Sequence, residues 1–302
     1  MTAHPTLEKT SWTATPERGS LPMLRIMTWC SLKFGRQATR CALYPITAYF
    51  LLFSPKSRRA SRAYLERALG RTVRWRDLYR HFFSFAATIH DRIYLANRRL
   101  DLFDFEIHGE HLLEKGNGLF LIGAHLGSFE AISAVGKKNA GLRVAMLMHE
   151  ANAQKINAAL SAINPQSDQE IIGLGNLDAM LKVEAKLDKG YAVGMLADRT
   201  PGNEACCPVT ILNETAHLPI GPFRIAALLK RPVVFMTGLY LGGNRYAIHF
   251  DHLADFSVAM PGGRDQAIQD AVSRYAGLLD QYCRKAPYNW FNFFDFWQPG
   301  NE

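Results

Sequence analysis

Two hydrophobic patterns alternate along the last two thirds of the chain. Short apolar runs such as 119–123 and 232–240 have the length and composition of buried strands. Between them lie segments with apolar residues at helical spacing, such as 177–188. This alternation predicts an α/β fold with a single mixed sheet flanked by helices. The predicted strands are 102–108, 119–123, 142–148, 169–174, 191–197, 232–240 and an edge strand at 246–250; the predicted helices are 128–138, 152–163, 177–188, 221–229 and 264–284.

The first hundred residues lack strand patterns. Residues 57–69 and 75–100 have helical spacing, and residues 21–54 are apolar but interrupted by basic side chains. The longest uncharged run there is shorter than the ~18–20 residues of a membrane-spanning helix. We therefore expect an interfacial, membrane-associating segment, with a helical hairpin covering the core as the alternative. The predicted division is a flexible tail (1–20), a basic and apolar helical region (21–100) and an α/β domain (101–302).

Charge supports a surface role for the N-terminal part. The formal net charge is +8, and residues 1–80 alone carry 15 Lys and Arg against 4 Asp and Glu. Basic residues interleaved with apolar ones suit an anionic membrane surface. Nucleic acid is the other partner of such a segment, but no zinc-finger spacing or RNA-recognition motif accompanies it. We therefore expect a membrane and no nucleic acid.

The candidate chemistry lies where the predicted strand 119–123 gives way to a helix. His125 follows the strand, and Glu130 falls in the first helical turn five residues on. Ligands of open α/β sheets bind at the carboxyl ends of strands, and a His oriented by a carboxylate can deprotonate a hydroxyl. The alternative is a Glu that favours the helix dipole beside an unrelated His. Ser128 has the position of a helix N-cap, and backbone N–H groups around Gly127 are candidate oxyanion donors.

Three segments in order resemble one known family. Residues 121–130 read LIGAHLGSFE, residues 194–202 read GMLADRTPG, and residues 216–223 read AHLPIGPF before a predicted helix and strand. The first resembles the His-x4-acid motif of the lysophospholipid acyltransferase superfamily. Its Glu and small residues are similar to the branch that contains the bacterial lipid A biosynthesis acyltransferases.

Two features depart from that branch. Asn213 stands before the third segment, where many relatives have Gly, and the C-terminal segment 288–297 holds seven aromatic residues in ten. The aromatic C-terminus is more similar to a sister group associated with aryl polyene lipids. By itself, this segment can line an acyl chain, lie at a membrane interface or pack in the core.

The resemblance implies a membrane-associated acyltransferase at the cytoplasmic face of the bacterial inner membrane, peripheral or monotopic. It would move a fatty acyl group from an acyl carrier protein or coenzyme A thioester, as co-substrate, to a hydroxyl of a lipid or glycolipid. The implied catalytic residues are His125 as general base and Glu130 as its orienting partner, and Asp198, Arg199, Gly127 and Ser128 would bind substrate. We expect no metal and no further cofactor. The remaining alternative is a non-catalytic lipid-binding or scaffold protein that keeps the fold.

Overall fold

The structure is a computed structural model that describes residues 21–113, 116, 118–139, 141–165, 169–175, 177–199 and 204–297. The predicted flexible tail at 1–20 and the end of the second sequence segment at 200–202 lie outside the described residues. The helices are α1 (Leu21–Arg40), α2 (Leu43–Phe53), α3 (Pro55–Leu69), α4 (Trp75–Ala96), α5 (Phe129–Asn139), α6 (Glu150–Ile163), α7 (Leu177–Asp188), α8 (Gly221–Leu228) and α9 (Arg264–Lys285). The strands are β1 (Asp104–His108), β2 (Leu119–Gly127), β3 (Val144–His149), β4 (Glu170–Leu174), β5 (Ala192–Leu196), β6 (Cys206–Ile211), β7 (Glu214–Pro219), β8 (Pro232–Gly242) and β9 (Arg245–Asp255).

A mixed sheet of seven strands organises the described residues. Its order is β1-β9-β8-β2-β5-β3-β4. The five strands from β8 to β4 run parallel, whereas β9 runs antiparallel to β8 and β1 runs parallel to β9. Strands β2, β5 and β8 are almost wholly buried, which explains their continuous apolar runs. The predicted α/β class, with a single mixed sheet flanked by helices, is confirmed.

Two strand predictions need correction. The segment 246–250 was expected at a sheet edge, but β9 is longer and lies between β8 and β1. Alternation along a strand reports which faces are buried, and it carries no information about neighbours. The hairpin of β6 and β7 was not predicted as strands at all. Its turn holds Leu212 and Asn213 at positive φ, so Asn213 occupies a backbone conformation that favours Gly or Asn.

The hydrophobic core runs across residue 100, where the sequence predicted a domain boundary. Tyr64 and Leu65 of α3 and Phe82 of α4 belong to the same buried cluster as Phe120 of β2 and Phe235 of β8. Burying large apolar side chains against the sheet is the main favourable contribution to folding. Helices α3 and α4 therefore share the core of the α/β body.

Helices α1 and α2 bury hydroxyl side chains and expose most of their large apolar ones. The buried residues of α1 are Thr28 and Ser31, and those of α2 are Leu43, Thr47 and Leu51. The hydroxyl oxygens of Thr28, Ser31 and Thr47 have no hydrogen-bond partner among the described residues. Large apolar side chains point outward instead: Leu21, Met23, Ile26, Trp29, Leu32, Phe34, Tyr44, Ile46, Tyr49, Phe50, Leu52 and Phe53.

No helix in the described part of the chain has both the length and the apolar character needed to cross a bilayer.

A buried ion pair attaches α1 to the body. Asp91 of α4 is fully buried and accepts two hydrogen bonds from Arg36, at 2.7 and 2.9 Å, and one from the Tyr246 hydroxyl at 2.8 Å. Arg36 also donates to the Gly243 carbonyl at 2.6 Å. Burial would raise the pKa of Asp91, but its hydrogen bonds and the Arg36 charge hold it below its ordinary value. The carboxylate therefore stays ionised and fixes the C-terminal end of α1 on the sheet.

Replacing one member of this pair should destabilise the fold. Asp91→Asn leaves the Arg36 guanidinium buried without its counter-charge, which typically costs about 3–5 kcal/mol. The measurement is the free energy of unfolding by urea titration. The control is Asp101→Asn, which breaks the exposed pair with Arg99 at 3.1 Å and should leave stability close to wild type. Equal losses in the two variants would show that the buried pair is not an anchor.

Candidate active site

The sheet register brings His125 and Asp198 together. Strands β2 and β5 are parallel neighbours, and the last pair between them is Gly123 with Leu196. His125 and Asp198 each lie two residues beyond that pair. Residues at equal offsets on parallel neighbours meet at the same sheet edge. Two of the residues that the sequence identified separately therefore form one site.

Asp198 holds His125 through two hydrogen bonds. Its Oδ1 lies 2.9 Å from the His125 Nδ1, and its Oδ2 accepts the His125 backbone N–H at 3.0 Å. The indole Nε1–H of Trp290 donates to the same Oδ2 at 2.9 Å. Asp198 is buried, whereas a third of the His125 side chain is exposed. The His125 Nε2 has no hydrogen-bond partner among the described residues and is available to a substrate.

An irregular end of β2 presents His125. The pairing with β8 shifts between Gly123 and Gly127, so β2 bulges at the histidine. Gly127 has φ +82°, and a Cβ there would lie 2.0 Å from the Gly238 carbonyl oxygen. The Gly127 N–H donates to the Asn289 carbonyl at 2.9 Å, and the Ser128 N–H donates to the Gly238 carbonyl at 2.8 Å. Both N–H groups are thus bonded within the protein, and their role in substrate binding stays a prediction.

Glu130 faces a different partner from the one that the sequence suggested. Its Oε1 lies 2.6 Å from the Arg92 Nε, and the carboxylate bonded to the His125 ring is Asp198. Ser128 accepts the Ala131 N–H at 3.2 Å through its hydroxyl, which confirms it as the N-cap of α5. The geometry gives the orienting position to Asp198, and a catalytic role of Glu130 stays a prediction.

Arg199 lies beside the His125–Asp198 pair. Its Nη2 donates to the Phe291 carbonyl at 3.3 Å, and its guanidinium lies 5.3 Å from the Phe294 ring centre. The Nε is buried and has no hydrogen-bond partner within the described residues. A guanidinium always carries its charge in proteins, so the site holds a fixed cation with a spare donor.

Electrostatics keep the imidazole neutral and the carboxylate ionised. Burial and the nearby Arg199 charge lower the pKa of His125 below its ordinary 6.5, and Asp198 offsets only part of this. Burial opposes ionisation of Asp198, but His125, Arg199 and Trp290 together hold its pKa below the ordinary value. At neutral pH the Nδ1–H therefore donates to Asp198, which leaves a lone pair on Nε2. This arrangement is suited to general-base chemistry.

Residues 289–291 of the C-terminal aromatic segment contact the candidate site. Trp290 is fully buried and forms a β-bridge with Leu126. The Asn289 side chain exchanges two hydrogen bonds with the Tyr240 backbone, at 2.7 and 3.1 Å, whereas the side-chain amide of Asn292 has no partner among the described residues. Of the three alternatives from the sequence, core packing describes Trp290. The sequence gave no sign of its contact with Asp198, because no spacing relates residues 92 positions apart.

Comparison with solved structures shows a similarity in fold, whereas comparison of sequences shows none. No protein-family profile and no curated protein sequence matches this chain. The fold is similar to the crystal structure of a 1-acyl-sn-glycerophosphate (LPA) acyltransferase, PlsC, from Thermotoga maritima, with 14% identity and a TM-score of 0.39. The similarity covers 80% of this chain and 97% of that one. Values this low do not establish a shared function, so function has to be derived from the site.

Replacing Asp198 and replacing Glu130 should change the His125 pKa by different amounts. Asp198→Asn removes the adjacent negative charge, so the pKa should fall further, by about 1–2 units. Glu130→Gln should change it much less, because Glu130 is paired with Arg92. The measurement is a pH titration of the His125 ring signals by NMR in both variants. A larger shift in Glu130→Gln would give the orienting role to Glu130, as the sequence suggested.

Proposed function

We propose that this protein transfers a fatty acyl group from a thioester to a hydroxyl of a lipid or glycolipid, with His125 as the general base. The observation that carries the proposal is the His125–Asp198 pair, whose Nε2 is free at the carboxyl end of the parallel strands. The order of the three sequence segments supports the same chemistry. Such a pair is not needed by a protein that only binds lipid.

The reaction can be written with these groups. The His125 Nε2 takes the proton of the acceptor hydroxyl as its oxygen attacks the thioester carbonyl carbon. Asp198 stabilises the imidazolium that forms, as a carboxylate does in Ser-His-Asp triads. The tetrahedral intermediate then expels the thiolate, and the imidazolium returns the proton to its sulfur. The products are an ester and a free thiol, and no acyl-enzyme is required.

Charge near the base favours an anionic substrate group. Arg199 lies beside His125 and has a buried Nε without a partner in the described residues. Guanidinium groups bind phosphate through paired N–H donors. Arg199 would therefore bind a phosphate of the donor's phosphopantetheine arm or of an anionic acceptor. Both acyl carrier protein and coenzyme A have such an arm, so either is a suitable donor.

The outward apolar face of α1 and α2 favours an interfacial position on a membrane. α2 has 11 residues, about 16 Å of helix, which is half the thickness of a bilayer core. Exposed cations follow directly on α3 and at the start of α4, including Lys56, Arg59, Arg74 and Arg76. An apolar face bordered by cations suits the headgroup region of an anionic leaflet. The proposed location is the cytoplasmic face of the bacterial inner membrane, where acyl thioesters are available.

Acyl transfer by the purified protein tests the proposal. Acyl carrier protein and coenzyme A thioesters are supplied separately with a lipid extract from the source's own membranes, and products are identified by mass spectrometry. His125→Ala should lower transfer by about 10²–10⁴-fold. His217→Ala removes an exposed histidine of β7 and should leave it unchanged. Because only neutral imidazole accepts a proton, activity should fall as pH drops through the lowered His125 pKa, below 6.5.

The outcomes separate the alternatives. Transfer into a lipid that is lost in His125→Ala would also identify the acceptor, including lipid A or an aryl polyene lipid. Thioester loss without lipid product would indicate hydrolysis by water. Equal transfer by wild type and His125→Ala would exclude His125 as the base. No thioester loss with either donor would favour the scaffold alternative.

Membrane binding is tested on the apolar face itself. The variant Trp29→Ser, Leu52→Ser, Phe53→Ser removes side chains that are 58%, 58% and 61% exposed. Each contributes roughly 1.5–3 kcal/mol when fully buried, so loss of the three should lower partition into anionic vesicles by about 100-fold or more, even if they insert only in part. The matched control is Leu181→Ser, Leu228→Ser, Val258→Ser, three side chains each 59% exposed on other elements. Equal binding by both triple variants, measured by vesicle co-sedimentation, would contradict an α1–α2 docking face.

A further inference from the structure

The segment after α9 forms backbone hydrogen bonds with β2 on both sides of Leu126. The Phe291 N–H donates to the His125 carbonyl at 2.8 Å, and the Gly127 N–H donates to the Asn289 carbonyl at 2.9 Å. Trp290 lies between these two bonds, opposite Leu126. The backbone of β2 around His125 is therefore fixed by a segment more than 160 residues later in the chain.

The Trp290 side chain completes the bonding of the buried carboxylate. Asp198 Oδ1 faces the His125 ring, and Oδ2 accepts both the His125 N–H and the indole N–H. A carboxylate without enough donors is costly to bury, and it is free to rotate toward other partners. The indole N–H therefore fixes the rotation that points Oδ1 at the imidazole.

Residues of α3 and α4 hold Trp290 in place. Its carbonyl lies 2.8 Å from the His81 Nε2, and the His81 Nδ1 lies 2.7 Å from the Ser61 hydroxyl. Burial lowers the pKa of His81 to about 4, so the ring is neutral at pH 7 and carries one N–H. That N–H donates to the carbonyl, and Ser61 donates to Nδ1. The ring of Tyr64 packs edge-on against the indole at 5.1 Å.

We infer that Trp290 is a positioning residue for the His125–Asp198 pair and that residues 289–291 are part of the active site. The kinetic consequences rest on the proposed function, whereas the effect on the His125 pKa does not. Trp290 acts on the reaction only through Asp198. Removing its N–H concentrates negative charge on the carboxylate, which favours the imidazolium. The His125 pKa should therefore rise.

The test replaces the indole by an isostere without the N–H. β-(3-Benzothienyl)alanine, incorporated at position 290, keeps the two fused rings and substitutes sulfur for N–H, and Trp290→Phe serves as a second variant. The His125 pKa, titrated by NMR, should rise by about half a unit or more. The acid limb of the acyl-transfer pH profile should move with it, and kcat should fall by about 10- to 100-fold with little change in KM.

Trp297 is the matched control. Its indole N–H has no hydrogen-bond partner among the described residues, and its ring lies 6.0 Å from that of Trp290. The same isostere at 297 should leave both the His125 pKa and the pH profile unchanged. In an Asp198→Asn background, the isostere at 290 should have no further effect on the pKa, because the group through which it acts is altered.

The His125 pKa tests the positioning role of Trp290 independently of whether the protein transfers acyl groups. An unchanged His125 pKa and pH profile with the isostere at 290, in a folded protein, would overturn it. So would equal shifts with the isostere at 290 and at 297. A raised pKa in a protein that transfers no acyl group would uphold the positioning role and reject the proposed function.

Discussion

The site depends on one buried carboxylate. Asp198 accepts N–H groups from the His125 ring, the His125 backbone and the Trp290 indole, so it joins β2, the end of β5 and the C-terminal segment. An ionised group in the interior is tolerated only when its oxygens are well bonded. Those bonds in turn fix the imidazole tautomer and leave its other nitrogen free. The same three contacts therefore offset the cost of burying the carboxylate and fix the geometry of the candidate site.

A second polar cluster links α1 to the sheet. Asp91 binds Arg36 of α1 and Tyr246 of β9 in the interior, while most large apolar side chains of α1 and α2 face outward. Ordinary folding would place those apolar residues inside, where their burial is favourable. Helix α1 is thus fixed to the body by a polar contact while its apolar side chains stay exposed, and the proposed membrane surface rests on that arrangement.

Sequence patterns predicted correctly those features that depend only on residues close together in the chain. Helix 177–188 was predicted with the observed bounds, and Ser128 was correctly identified as an N-cap, because spacing and capping involve only neighbouring residues. The position of β9 inside the sheet and the β6–β7 hairpin were missed, since strand neighbours are chosen by long-range packing. The sequence placed His125 and Asp198 at strand ends but gave the orienting position to Glu130.

The sequence by itself determined the α/β class, the buried strand that leads into His125 and the apolar, basic N-terminal region, because each follows from local composition and periodicity. The tertiary structure decided which carboxylate meets the imidazole. Glu130 is five residues from His125 but sits on a helix that directs it to Arg92, whereas Asp198 is 73 residues away and adjacent through the parallel register of β2 and β5. The tertiary structure also places the Trp290 indole against Asp198, a contact that no local pattern encodes.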